Sequence, residues 1–184
     1  DDLTDLLPFA EAVGIEGLSI TLPHKRLILP YLDDHDTAAA RVGACNTVCR
    51  GPDGWRGSNT DLPAALATVR SLLCLPPTAS LDGRRALVLG AGGVARTVAL
   101  GLLDAGAEVV LAARNTGRRR DLAADLGCHE VPLVDRGVVA FDLLVNGFGD
   151  DKPAARVVHQ DVSSAKRRHH VREQFLPILP TGRI

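Results

Sequence analysis

This sequence has no methionine and no cysteine pattern typical of disulfides or metal sites, and both facts limit what the chain can be. Without methionine, we expect a fragment of a longer polypeptide rather than a complete translation product. Of the four cysteines, Cys45 and Cys49 lie four apart in a predicted strand and would share one face, but no second pair accompanies them. We therefore expect reduced thiols that pack as small buried apolar side chains, and we predict no metal site.

A strong net charge and a long apolar run are missing as well. Basic residues (21) nearly balance acidic ones (22), so the formal charge of −1 gives no field that would attract nucleic acid or an anionic membrane. No apolar run approaches the roughly 18 residues that span a bilayer. The acidic first residues do not resemble a signal peptide. We expect a cytoplasmic globular protein with no nucleic-acid and no membrane partner.

The first part of the chain alternates short strands and short helices. Residues 18–22 alternate in polarity, which is typical of a strand, and Gly51-Pro52-Asp53-Gly54 predicts the turn of a hairpin. Pro23 suits the first turn of a helix, Gly43 can end one, and Thr60 can cap another. The predicted strands are 18–22, 44–50 and 55–59, and the predicted helices are 23–29, 38–42 and 60–73.

A proline-marked connection over residues 74–81 separates this region from one with a different pattern. Unbroken apolar runs such as Ala86-Leu87-Val88-Leu89 are typical of strands buried on both faces of a parallel sheet. The strands predicted here are 86–89, 109–113 and 141–145, and the helices are 94–105 and 117–126. The sequence thus predicts an α/β fold, with a partial α/β domain over residues 1–76 and a truncated, Rossmann-like doubly wound domain over 77–150. Residues 151–184 show no clear pattern and stay unassigned.

A glycine-rich segment with the spacing G-x-G-x-x-A lies between the first strand and the first helix of the doubly wound domain. The first glycine permits a tight turn, the second lets the backbone approach a pyrophosphate, and the small third position brings helix and strand together. Free N–H groups at the start of the helix would then face the phosphates. Because both the strand and the helix are present, we expect a dinucleotide-binding loop. Its contact residues are Gly90, Ala91, Gly92, Gly93, Val94 and Ala95.

The end of the next predicted strand indicates which dinucleotide binds. A site for NAD usually places Asp or Glu there to bind the ribose 2′-hydroxyl, whereas the first acid here is Asp121. Arg114 and Arg118 could instead hold a 2′-phosphate between two guanidinium groups. We therefore predict NADP as the cofactor. Arg119 and Arg120 are expected on a solvated helix face.

Three motifs upstream of the glycine loop give the chain a family resemblance. They are Thr21-Leu22-Pro23-His24-Lys25, Gly43-Ala44-Cys45-Asn46-Thr47 and Asn59-Thr60-Asp61, in that order. Over roughly residues 13–146 the chain resembles the shikimate dehydrogenase family, including its fusions with dehydroquinate dehydratase. The resemblance implies a shikimate-binding domain followed by an NADP-binding domain. It also implies a small-molecule substrate and the reversible reduction of 3-dehydroshikimate to shikimate by NADPH, a step in chorismate and aromatic amino-acid biosynthesis.

The same resemblance assigns roles to single residues. Lys25 matches the family's catalytic lysine and Asp61 its paired aspartate, and both would contact the substrate. Thr21 and Asn46 match residues that hydrogen-bond the substrate's ring hydroxyls. The pairing is chemically sensible, because an ammonium beside a carboxylate can stabilise a developing alkoxide and deliver its proton.

Three alternatives remain. A quinate/shikimate dehydrogenase that uses NAD would carry the same motifs, although the missing acid after the second strand of the doubly wound domain argues against it. A catalytically silent relative that only binds ligand would not need both Lys25 and Asp61. An inactive fragment is the third alternative, because the family's N-terminal strand and closing helices have no counterpart here. On that ground we expect the 184-residue chain alone to oxidise little or no shikimate.

Overall fold

The computed structural model describes residues 3–147 together with two further strands, Arg156–His159 and Arg172–Phe175. By its internal contacts the chain divides into two compact units, Asp1–Pro63 and Ala64–Ile184. The boundary predicted after residue 76 falls later than this division, because the buried residues of the helix that begins at Asp61 pack in the core of the second unit. Apart from the two strands, the unassigned tail lies outside the described residues.

The first unit contains short helices and a four-stranded sheet. Its strands are β1 (Gly17–Ser19), β2 (Asp34–His35), β3 (Thr47–Gly51) and β4 (Gly54–Ser58). Its helices are α1 (Leu6–Ala12), α2 (His24–Leu27) and α3 (Thr37–Val42), with a 3-10 helix at Leu29–Tyr31. The strand order is β1-β3-β4-β2, with β3 and β4 antiparallel across the Pro52-Asp53 turn, so the predicted hairpin is confirmed. The short β2, parallel to β4, was not predicted.

Helix capping and apolar burial account for these elements. The Asp36 side chain accepts the N–H of Ala39 at 2.6 Å at the start of α3. Gly43 ends the helix with φ 68°, a left-handed conformation that glycine adopts without strain. The core of the first unit contains a cluster of buried side chains from its helices and strands, including Trp55. Its members are Leu7, Ala10, Ile20, Ile28, Ala39, Cys45, Val48 and Trp55.

The second unit is built on a six-stranded sheet. Its strands are β5 (Arg85–Leu89), β6 (Glu108–Ala113), β7 (His129–Pro132), β8 (Leu143–Asn146), β9 (Arg156–His159) and β10 (Arg172–Phe175). Its helices are α4 (Asp61–Leu72), whose first turn belongs to the first unit, α5 (Gly93–Asp104) and α6 (Thr116–Leu126), with a 3-10 helix at Leu133–Val138. The strand order is β10-β9-β8-β5-β6-β7. The pairs β8-β5, β5-β6 and β6-β7 are parallel, so the predicted α/β fold is confirmed.

The unbroken apolar runs of the second unit are explained by burial on both faces of the sheet. In β5, Ala86 and Val88 belong to one buried cluster and Leu87 to another. In β6, Val109 and Val110 are divided between the same two clusters. Successive side chains of a strand point to opposite faces, so both faces of the central strands are covered by apolar side chains.

The expectation of buried cysteines is correct for Cys45 and wrong for Cys49 and Cys74, which are exposed, while Cys128 is partly buried. Cys45 is fully buried, and this burial raises the pKa of its thiol. Cys49 is exposed, because β3 begins only at Thr47 and turns Val48 rather than Cys49 toward the core. The two residues therefore do not share a face.

Candidate functional site

A lysine and an aspartate from separate motifs form an ion pair in the first unit. Lys25 lies in α2 and Asp61 is the first residue of α4. The Lys25 Nζ is 2.8 Å from the Asp61 Oδ2, and the two side chains are 27% and 48% exposed. An ion pair this exposed contributes little to stability. The arrangement leaves an ammonium and a carboxylate in hydrogen-bonding contact and accessible to a ligand.

Asn46 holds the other side of the same carboxylate. Its Nδ2 donates to the Asp61 Oδ1 at 3.0 Å and to the Thr60 Oγ1 at 2.9 Å. Its Oδ1 accepts the N–H of Thr60 at 2.9 Å and the hydroxyl of Thr47 at 3.3 Å. The amide therefore has protein partners for both donor hydrogens and for its oxygen. A substrate hydroxyl would have to take the place of one of these partners.

Backbone hydrogen bonds join the segments that carry these side chains. The N–H of Ile20 donates to the carbonyl of Asn46 at 2.8 Å, and the N–H of Asn46 donates to the carbonyl of Ser58 at 3.0 Å. The N–H of Cys45 donates to the carbonyl of Lys25 at 2.8 Å. The loop before β3 is thus bonded to the segment after β1, to α2 and to the end of β4. Three motifs that are separate in the sequence meet there.

Thr21 lies on the exposed segment between β1 and α2. Its carbonyl accepts the N–H of His24 at 2.8 Å, which closes a turn just before Lys25. Thr21 therefore sits on the turn that leads into α2, only four residues before the lysine of the ion pair.

Asn59 was not singled out by the sequence analysis, although it supports the site. It is buried, with 3% of its surface exposed. Its Nδ2 donates to the carbonyl of Ala44 at 2.8 Å, and its Oδ1 accepts the N–H of Leu62 at 3.1 Å. The residue that binds a free N–H of α4 is therefore Asn59, whereas Thr60 had been predicted as the cap. The sequence signal for this role was an asparagine placed two residues before Asp61, the first residue of α4.

Replacing Asn59 with alanine should lower the free energy of unfolding by about 1–3 kcal/mol, because two backbone groups would lose their buried partner. Urea denaturation followed by the fluorescence of Trp55, the sole tryptophan and a member of the same unit's core, measures the change. Thr60→Ala, at an exposed position, is the comparison and should cost less. Unchanged stability in Asn59→Ala would show that this amide does not hold the start of α4.

The glycine motif forms the turn between β5 and α5 in the second unit. Gly90 has φ 116°, a conformation that side chains other than glycine rarely adopt. A Cβ added at Gly92 or Gly93 would meet no atom within 4 Å, so the space above the start of α5 is open. The first N–H groups of a helix have no partner within the helix. The turn therefore combines free donors with room for a ligand.

The third small position of the motif is needed for close packing. Ala95 is fully buried in α5. A Cβ added at Gly147, just after β8, would lie 2.9 Å from the Cα of Ala95 and 2.9 Å from the carbonyl oxygen of Leu89. Helix α5 thus lies against the ends of two strands, and a larger residue at position 95 would push them apart.

Arg114 directly follows β6 and Arg118 lies in the first turn of α6, and both are exposed. Asn115 caps α6, since its Oδ1 accepts the N–H of Arg118 at 2.9 Å. The first acid after β6 is Asp121, inside the helix. The turn therefore presents two cationic side chains at the place where an acid would select an unphosphorylated ribose.

The prediction that Arg119 lies on a solvated helix face is wrong. Its side chain is buried and forms an ion pair with Glu130 of β7, while its Nη1 donates to the carbonyl of Ala113 at 2.8 Å. Arg120 is exposed, as expected. Consecutive residues of a helix point in different directions, so one of three arginines faces the sheet. Its partner lies on β7, a strand that the sequence analysis did not predict.

The described part of the chain has neither a metal-binding cluster nor a helix suited to crossing a membrane. Within residues 3–147, no group of three or more His, Cys, Asp or Glu side chains could hold a metal ion. None of the helices in that part of the chain has both the length and the apolar character that a bilayer crossing requires.

Comparison with known proteins connects these sites to one family. The family model described as "Shikimate dehydrogenase substrate binding domain" matches residues 1–48. Over 142 residues the chain is 39% identical to "Shikimate dehydrogenase (NADP(+))" of Syntrophobacter fumaroxidans, an alignment that covers 77% of this chain and 48% of that protein. The chain spans about half the length of the curated relatives it matches.

Solved structures agree with the sequence relatives. The crystal structure of shikimate dehydrogenase from Aquifex aeolicus matches with a TM-score of 0.72 at 29% identity, over 83% of this chain and 57% of that one. The enzyme from Thermus thermophilus, solved in complex with NADP(H) and shikimate, matches with a TM-score of 0.64 at 36% identity, over 79% of this chain and 52% of that one. The chain therefore belongs to the shikimate dehydrogenase family.

Proposed function

We propose that the full-length protein is an NADP-dependent shikimate dehydrogenase, which reversibly reduces 3-dehydroshikimate to shikimate. The observation that carries this proposal is the Lys25–Asp61 ion pair, 2.8 Å long and joined to Asn46 through the second carboxylate oxygen. Relatives named shikimate dehydrogenase (NADP(+)) support it. A cytoplasmic location and a fusion to dehydroquinate dehydratase are separate parts of the proposal.

The ion pair is suited to proton transfer at a ketone oxygen. When a hydride reaches the carbonyl carbon, negative charge develops on the oxygen, and a positioned acid lowers the barrier. The Lys25 ammonium gives its proton to that oxygen and becomes a neutral amine, and in the reverse direction the amine takes the proton from the substrate hydroxyl. The Asp61 carboxylate, bonded to the ammonium and to Asn46, restricts both groups to one arrangement.

Two polar residues, Asn46 at the pair and Thr21 on the turn before α2, would supply selectivity for a polyhydroxylated ring. Thr21 offers a hydroxyl, and Asn46 offers both a donor and an acceptor. A site built to hydrogen-bond a hydroxyl rejects analogues without it, because its own polar groups are then left unpaired. In this proposal a ring hydroxyl replaces one of the present partners of Asn46.

The second unit has the features that NADP requires. The N–H groups at the start of α5, below the open space over Gly92 and Gly93, would bind the pyrophosphate. Arg114 and Arg118 would bind the 2′-phosphate. NADPH, when bound, supplies the hydride. The small residues Gly90 and Ala95 keep the turn tight and the helix close to the sheet.

Replacing Arg114 with alanine should weaken NADP binding by about 10–100-fold, the equivalent of one lost charge-assisted contact, with little change for NAD. Calorimetric titration of both dinucleotides measures this. Arg120→Ala, at an exposed arginine of the following helix α6, is the matched control and should leave both affinities unchanged. NAD binding as tight as NADP binding in the unmutated protein would contradict the cofactor assignment.

The activity itself is tested by steady-state kinetics of the full-length protein with shikimate and quinate, each with NADP and NAD. We expect the highest kcat/KM for shikimate with NADP. A preference for quinate with NAD would replace the proposal by its alternative. Ligand binding without turnover of either substrate would identify a silent relative.

A further inference from the structure

Arg119 places a buried guanidinium against the end of β6. Its side chain is 4% exposed. The Nη1 donates to the carbonyl of Ala113 at 2.8 Å, and the Nε forms an ion pair with the carboxylate of Glu130. A buried charge is costly unless it is paired and its N–H groups are bonded. Arg119 meets both conditions, and it does so at a turn that carries two exposed arginines.

The contacts of Arg119 lie on both sides of Arg114. Ala113, whose carbonyl accepts the guanidinium, comes directly before Arg114. Asn115, which comes directly after it, accepts the backbone N–H of Arg119 at 3.1 Å through its carbonyl. The Asn115 side chain in turn binds the N–H of Arg118. The side chain of Arg119 thus binds the residue before Arg114, and its backbone N–H binds the residue after it.

The sheet alone does not supply this restraint. Ala113 and Pro132 form the last pair of the β6–β7 ladder, so no further pair fixes the backbone beyond Ala113. Glu130 faces Leu111 inside the ladder, so its backbone position is fixed by the sheet. The guanidinium of Arg119 thus connects a fixed point on β7 with the last carbonyl of β6.

We propose that Arg119, anchored on Glu130, is a positioning residue for recognition of the dinucleotide 2′-phosphate. It fixes the carbonyl of Ala113 and thereby the placement of Arg114 and Arg118. This inference rests on the proposed function, because it requires those two arginines to bind a 2′-phosphate. Guanidinium–phosphate contacts depend on orientation, so a shifted turn weakens them more than it weakens contacts to the rest of the nucleotide.

The test uses two probes that differ only in the 2′-phosphate, adenosine 2′,5′-bisphosphate and adenosine 5′-monophosphate. Both are titrated onto the 184-residue chain by calorimetry, and the ratio of their affinities is the readout. Arg119→Met removes the donors at similar side-chain length. Arg120→Met is the control, because it removes the same charge from the same helix at a side chain that is 71% exposed. The Arg120 Nε lies 3.8 Å from the Glu130 Oε1, so this control also shows whether the longer contact to Glu130 affects the ratio.

We expect Arg119→Met to lower the affinity ratio by about tenfold, and Arg120→Met to change it by less than about twofold. A general loosening of the unit would weaken both probes together and leave the ratio unchanged. A folded Arg119→Met variant with the unmutated ratio would overturn this inference and leave the NADP assignment standing. A ratio near one in the unmutated chain would overturn both.

A second variant keeps the test decisive if the first does not fold. Arg119→Met leaves the Glu130 carboxylate with only the exposed Arg120, whose Nε lies 3.8 Å from the Glu130 Oε1. Arg119→Met combined with Glu130→Met removes the buried pair and keeps the apolar volume. The double variant should show the same fall in the ratio, with circular dichroism confirming the fold. In an Arg114→Ala background, Arg119→Met should cause little further fall, since the contact it positions is already lost. An independent, additive fall would contradict the positioning role.

Discussion

Replacing Lys25 with alanine in the full-length protein should lower kcat for shikimate oxidation by about 10²–10⁴-fold, the usual loss for an acid–base group. Substrate affinity should fall much less, because a proton donor acts mainly in the transition state. The structure motivates this expectation by placing the ammonium on a carboxylate that a second side chain orients. Steady-state kinetics on the purified variant, with circular dichroism as a check of folding, measures the effect.

Two companion variants separate proton transfer from charge. Lys25→Arg should restore little activity, because a guanidinium stays protonated and cannot relay a proton. Arg26→Ala removes a neighbouring exposed cation of α2 and should leave turnover nearly unchanged. A well-folded Lys25→Ala protein with near-normal kcat would mean that Lys25 only binds substrate and that another group provides the proton.

Replacing Leu102 with alanine should lower the free energy of unfolding of the second unit by about 2–5 kcal/mol, through lost apolar burial and the cavity left behind. Leu102 is fully buried in α5, within the cluster that also contains Val88 and Val109. Urea denaturation of the 184-residue chain, followed by far-ultraviolet circular dichroism, measures the change.

Val134→Ala is the matched control for this substitution. Val134 is also an aliphatic residue of the second unit, but 83% of its surface is exposed. Its truncation should change stability by no more than about 0.5 kcal/mol. Similar losses in the two variants would mean that Leu102 does not contribute to the core as its burial indicates.

The sequence was most informative where a local pattern reports the environment directly. The apolar runs of β5 and β6 predicted strands covered on both faces, and the structure divides their side chains between two buried clusters. Gly43 stopped α3 where expected, because a left-handed residue after a helix is a local requirement. The hairpin of β3 and β4 follows from its turn residues in the same way.

The candidate site was predictable only through the order of three motifs. Lys25 and Asp61 are 36 residues apart, and no spacing rule gives the 2.8 Å that separates their charged atoms. The motifs do not predict the hydrogen-bond partners of each side chain. The Asn46 amide, predicted to bind a substrate hydroxyl, also bonds to Thr60 and Asp61, and the motifs do not predict these two contacts.

Features that depend on a distant partner were missed. Arg119 looked like surface because it stands between two other arginines, and only Glu130 of β7 explains its burial. Strand β7 itself has mixed polarity and ends at Pro132, so it lacks the pattern of a buried strand. Asn59 depends on the carbonyl of Ala44, which no local rule connects to it.

The position of β5 between β6 and β8 has a consequence for synthesis of the chain. Ala86 faces Val109 of β6 on one side and Leu143 of β8 on the other. The ribosome therefore releases β6 well before β8. During that interval β5 has an open row of hydrogen-bonding groups, the kind of edge that pairs with other chains. Non-local parallel pairing is also slow to form. Nascent chains that end before Leu143 should therefore be the ones that chaperones bind, and elongation through β8 should release them.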